Sequence, residues 1–151
     1  MLTIHAADEV RLTWDDRDDP EPVEDGAVVV EGDRVRAVGP LAEVRQRFPD
    51  ARVRHWPGVL GPAHIHEGPL PDAPSPRERI HAVLKSGAVA VLEEHANTPE
   101  LRAAAQRNDV VVLPKSRPTA IIATGRADLA VFDSGECMAT VCAGRLVHRR
   151  R

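Results

Sequence analysis

The segment HIHEG places His64 and His66 two residues apart, and EEH places Glu93, Glu94 and His95 directly after an apolar run. Imidazole nitrogens and carboxylate oxygens are common ligands of divalent transition metals. In an extended strand, residues i and i+2 point to one face, so His64 and His66 can offer two imidazoles to one metal. Glu93 and His95 share a face by the same rule. If the two strands are parallel neighbours, their carboxyl ends adjoin, and His64, His66, Glu93 and His95 converge as a three- or four-ligand site for Zn, Fe, Mn or Ni. A plainer reading stands beside this one, in which the histidines sit at a solvated sheet end and bond to backbone carbonyls. His5, His55, His81 and His148 have no partners in sequence and read as surface or packed residues.

These residues need strands to hold them. Around the histidines, Ser75, Pro76 and Glu78 supply an N-cap, a proline at the first helical position and a capping-box partner, so a helix runs to about Lys85 and ends at Gly87. Ala88 to Leu92 then reads as a buried strand, Thr98 and Pro99 open a second helix to about Asn108, and Val110 to Leu113 form another buried strand. Continuous apolar strands alternating with helices belong to a parallel sheet.

The flanks read as β structure. Leu2, Ile4 and Ala6 suggest a short strand and Val10 with Leu12 the start of another; Ala27–Val30 and Arg34–Val38 form a hairpin across Glu31, Gly32 and Asp33. Leu41, Val44 and Phe48 have helical spacing, and Arg52 to Trp56 is strand-like. Strands are expected at 127–132, 138–143 and 145–148. The run from Trp14 to Asp25 is rich in acidic residues but lacks the fixed ligand offsets of a calcium loop, so it reads as a solvated loop.

At 151 residues and a net charge of −3, with 42% hydrophobic and 28% charged residues, the chain should fold as one compact domain or two very small ones. Two Phe, two Trp and no Tyr are too few for a base-stacking surface, and acidic residues break up the arginines almost everywhere except the terminal Arg149, Arg150 and Arg151. No nucleic-acid partner is expected. Nor is a membrane, since no apolar run approaches the roughly 20 residues needed to cross one. With no secretion signal at the first residues, a cytoplasmic location is expected. Cys137 and Cys142, outside any CxxC pattern, read as small buried hydrophobes.

GAVVVEGDRVRAVGPLAEV, WPGVLGPAHIHEG and ADLAVFDSGECMATVCAGRLVH together resemble the amidohydrolase superfamily, most closely its imidazolonepropionase and aminodeoxyfutalosine deaminase branch. The resemblance covers residues 1 to about 66 and about 126 to 151. It implies an α+β protein in which residues 1–57 and 117–151 build a composite β-sandwich. Residues 58–116, including the helix signature NTPELRAAAQ, form a small βαβαβ insertion similar to the opening of a metal-bearing (β/α)8 barrel. Such a barrel takes about 250 residues, so this insertion cannot close one. His64 and His66 match the metal-binding HxH after the first barrel strand. Glu93, Glu94 and His95 have no counterpart, and the family's later histidine and aspartate ligands lie in the portion of barrel that is missing. In the full enzymes the metal makes a nucleophile of a bound water and a carboxylate manages the proton. Here Glu67, Glu93 or Glu94 would take that part, with Glu67 and Glu94 the catalytic candidates.

Three expectations follow. The chain is a divalent-metal hydrolase or deaminase acting on a non-peptide C–N bond of a small-molecule substrate, or it is a non-catalytic interaction or scaffold module that has lost the barrel active site. Independently, a three-stranded parallel sheet exposes an apolar face and unpaired edges, which predicts a homodimer or a complex with another subunit.

Overall fold

A computed structural model describes residues 1–15 and 21–150. The fold is α+β and dominated by sheet. Strands β1 (Leu2–Val10), β2 (Val23–Glu31), β3 (Arg34–Pro40) and β4 (Arg52–Pro62) come from the first part of the chain. Strands β8 (Leu129–Asp133), β9 (Glu136–Cys142) and β10 (Arg145–Arg149) come from the last. All seven join in one sheet of order β10-β9-β8-β4-β1-β2-β3. Only the β1–β4 pair in it is parallel. The two ends of the chain therefore meet through β4 and β8, with Leu60 opposite Val131.

The expected sandwich of both ends is built from a single continuous sheet rather than two separate ones. Its two halves face each other: Val28, Val30 and Val35 share a core with Leu129, Val131, Ala139 and Val141. The turn between β2 and β3 touches the turn between β9 and β10, where the backbone carbonyl of Gly32 occupies the space a Cβ on Gly144 would need. Curling the sheet onto itself covers both faces of β2, which is why its sequence is an unbroken AVVV run instead of an alternation. Val28 and Val30 face the inside of the curl, while Ala27 and Val29 pack with Ile4 and Ala6 and with Val44 of helix α1 (Leu41–Arg47).

Between the two parts lies a unit of alternating strands and helices: β5 (His64–His66), α2 (Pro76–Lys85), β6 (Ala88–Leu92), α3 (Pro99–Arg107) and β7 (Val111–Leu113). The three strands form a separate parallel sheet of order β5-β6-β7. Both helices start as their sequences dictate. The Ser75 hydroxyl accepts from the Glu78 N–H at 3.2 Å and the Thr98 hydroxyl from the Leu101 N–H at 3.2 Å, each with proline in the first turn. Ile80, Val83 and Leu84 of α2 and Leu101, Ala104 and Ala105 of α3 cover Val89 and Val91 on one face of this sheet. The same cluster includes Ala130 and Cys142 from the large sheet, and the buried Thr140 hydroxyl donates to the Leu84 carbonyl at 2.7 Å. The two sheets are thus bound together through the helices.

Several boundaries differ from the sequence reading. Residues 2 to 10 form one strand, not two short ones, and β4 runs without a break from Arg52 to Pro62. Val23 to Asp25 belong to β2 and not to a loop, because they pair with Val10 and Glu9 of β1; residues 16–20 of the acidic run lie outside the described residues. Among the described residues, no helix is long and apolar enough to cross a membrane.

Candidate functional site

His64 leaves the end of β4 at the first position of β5. Its backbone N–H donates to the Gly87 carbonyl at 2.9 Å, which ties β5 to the residue preceding β6. The imidazole is half-buried and sits between two rings. Trp14 stacks on it with ring centroids 5.5 Å apart and an interplanar angle of 24°, and Phe132 lies 5.3 Å away at 54°. Trp14 is itself fixed, donating its indole N–H to the Pro62 carbonyl at 2.6 Å and lying across Gly61, where any Cβ would run into the ring. Burial pushes the His64 imidazole below its ordinary pKa.

His66 behaves differently. Its Nε2 is 2.9 Å from the Pro69 carbonyl oxygen, so this nitrogen carries the proton and donates to the main chain. The β5–β6 ladder also slips by one residue, with His64 opposite Ala88 but Ile65 opposite Ala90, which puts the extra residue, Val89, in β6. Glu67 is exposed and accepts the Ser116 hydroxyl.

The expectation for Glu93, Glu94 and His95 is corrected. They form a single 3-10 turn after β6, not the end of the strand, and the Ala96 N–H closes it on Leu92 and Glu93 at 3.1 and 3.2 Å. Turning at about three residues per turn replaces the two-residue alternation that would have put Glu93 and His95 on one face. Glu93 and Glu94 are exposed, and the nearest polar partner of His95 is Glu94, 3.8 Å away. Among the described residues no group of three His, Cys, Asp or Glu side chains is placed to hold a metal ion.

What the structure does build next to His64 is a cleft. After β7, residues 116–126 pass over the second face of the small sheet and are pinned to the large one: the Ile121 N–H donates to Leu12 at 2.8 Å, Thr124 to Val35 at 2.9 Å and Ala127 to Asp33 at 2.7 Å. Ala90, Leu92 and Leu113 are buried beneath this strap, with Ile65 and Val111 packed against them. Met1 and Ile122 are the exposed large hydrophobics among the described residues.

Two hollows flank the strap, of about 370 and 450 Å³, and His64, Ile65, Arg117, Pro118 and Thr119 line both. Ile65, Ala90, Val111 and Leu113 make the apolar floor of the first, with Arg126 and Asp128 at its polar side. Arg126 is held rigidly there, with its Nε 2.9 Å from Asp128 Oδ1 and Nη2 donating to Cys142 Sγ at 3.1 Å and to the Asp109 carbonyl. Sequence reasoning missed Trp14, Phe132, Arg117 and Arg126. Trp14 is 50 positions from His64, and no local pattern links them.

The comparisons with known proteins agree with this architecture. Residues 26–51 match the family described as "imidazolonepropionase-like composite domain, bacteria". In fold, the chain is similar to E. coli guanine deaminase, at 16% identity and a TM-score of 0.57, covering 74% of this chain and 35% of that one. It is similar as well to an adenosine deaminase from Xanthomonas campestris with bound zinc (19%, TM-score 0.57, 74% and 33%). Helicobacter pylori aminofutalosine deaminase matches at 22% identity and a TM-score of 0.47, covering 60% and 27%. No curated protein sequence matches the chain. The chain is similar to these deaminases in fold, matches the composite-domain family over residues 26–51, and spans between about a quarter and a third of the length of these solved structures.

Proposed function

We propose that this chain is a non-catalytic, amidohydrolase-like module that binds a small, largely apolar molecule in the cleft beside His64. One observation carries the reading: Glu93, Glu94 and His95 form a 3-10 turn with both glutamates exposed, and among the described residues no three His, Cys, Asp or Glu side chains gather around a common point. The cleft itself has the features of a ligand site. It combines apolar walls from Ile65, Ala90, Val111 and Leu113 with a few polar groups, namely half-buried His64, Arg117 and the anchored Arg126. Its volume of about 370 Å³ suits a one- or two-ring heterocycle.

A second reading is supported by the placing of His64 and His66 two residues apart on β5, from which both imidazoles can reach one ion. On it, the chain is a divalent-metal hydrolase of non-peptide C–N bonds, with His64 and His66 holding the ion and Glu67 moving the proton. One experiment separates the two. The chain and its H64A/H66A variant are incubated with guanine or adenosine and stoichiometric Zn, Mn, Fe or Ni, and ammonia release and metal binding are followed together. The non-catalytic reading expects no ammonia from either protein. Metal-dependent release by the parent chain that disappears in H64A/H66A overturns it in favour of the hydrolase.

A further inference from the structure

At the opposite end of β4 from His64, three arginines gather without a counter-ion among the described residues. Arg52 and Arg54 alternate on one face of β4 with Trp56, at a spacing of about 7 Å per two residues. The parallel register sets Thr3, His5 and Ala7 of β1 beside them. Arg149 comes from β10, three strands away in the order of the sheet, and its guanidinium lies 5.7 Å over the Trp56 ring. Trp56 is a rigid base for this arrangement: it is buried, stacks at 6.3 Å on His5 and donates its indole N–H to His5 Nδ1 at 3.1 Å.

None of the ion pairs among the described residues includes Arg52, Arg54 or Arg149. This occurs in a chain whose acidic residues outnumber its basic ones, 23 to 20. Burial, and then repulsion from the charges of Arg52 and Arg149, lower the pKa of Arg54. An anion placed among them relieves that repulsion. Guanidinium forks favour oxyanions that accept several charge-assisted hydrogen bonds at once, and a phosphate group presents three oxygens and up to two charges.

We propose that Arg52, Arg54 and Arg149, with the Trp56 ring under Arg149, form a binding site for a phosphate-bearing small molecule. The site is independent of the His64 cleft and does not depend on whether the chain is catalytic. Calorimetric titration of the full chain with inorganic pyrophosphate at low ionic strength tests it. Saturable binding is expected, weakened at least about tenfold in R54A and in R149A. R54K, which keeps the charge but loses the fork, should fall between parent and R54A. R45A, an exposed arginine on α1, is the control and should bind as the parent does. Thermal melts verify that each variant is folded, and should R54A fail, the exposed Arg149 carries the test alone. Absence of saturable binding, parent-like affinity in R54A and R149A, or an equal loss in R45A overturns the proposal. So does a DNA duplex that binds with the same arginine dependence while pyrophosphate does not.

Discussion

His5 should make this protein acid-sensitive in a way that one substitution can isolate. Its side chain is buried in β1, and Trp56 donates an indole N–H to its Nδ1 at 3.1 Å. Indole is a donor only, so Nδ1 must be the unprotonated acceptor, and protonating it would set two donors against each other in a dry site. Burial, aided by the charge of Arg54, lowers the imidazole from the ordinary 6.5 to about 4. The folded pKa is below the unfolded one, so the unfolded chain binds more protons in between. The stabilisation is present above the unfolded value and is lost as pH falls toward about 4. Between about pH 7 and pH 5 this one group should cost the fold about 2 kcal/mol. In H5Q the amide oxygen can still accept from Trp56, but nothing titrates. Urea unfolding of parent and H5Q at both pH values measures the difference, and every other titrating group cancels in the comparison. Should H5Q lose as much stability on acidification as the parent, the assignment of His5 as a buried neutral acceptor is wrong.

Removing the caps that start the two helices, in S75A or T98A, should each lower stability by about 1 kcal/mol in the same denaturant assay, because the N–H of Glu78 or Leu101 loses its acceptor. G144A should cost more than about 1 kcal/mol, since Gly144 has a φ of 82° and the Gly32 carbonyl fills the place of its Cβ; thermal melting reads this directly. Cys142 is buried and its thiol is pushed up to about 11, chiefly by burial, so a thiolate-directed alkylating reagent should label half-buried Cys137 first. It should reach Cys142 only on unfolding, and mass spectrometry of the partly labelled chain distinguishes the two.

Most of the elements were legible because their signals are local. The S-P-R-E and T-P-E-L starts of α2 and α3 carry their own caps and prolines, the hairpin at Glu31–Asp33 carries its glycine, and the unbroken apolar runs at 88–92 and 110–113 correctly announced a parallel sheet. The candidate site was less so. That His64 and His66 lie on one short strand could be read from HIH. What surrounds their rings depended on Pro69, Trp14 and Phe132, which no spacing rule connects to them. The Glu93–His95 segment misled because a strand that ends in a tight turn looks, residue by residue, like one that continues.

The amino-acid order by itself determined where helices start, which segments are extended, and that the middle of the chain alternates strand and helix, since these follow from backbone preferences and neighbours a few residues apart. Only the tertiary structure decided that the sandwich expected of the two ends is one continuous curled sheet, that residues 116–126 lie over the small sheet, and that Arg149 reaches Trp56. Each is a contact between positions far apart in the chain. Such contacts form where packing covers the most apolar surface while satisfying the backbone hydrogen bonds, and that balance is struck by the whole molecule rather than by any one segment.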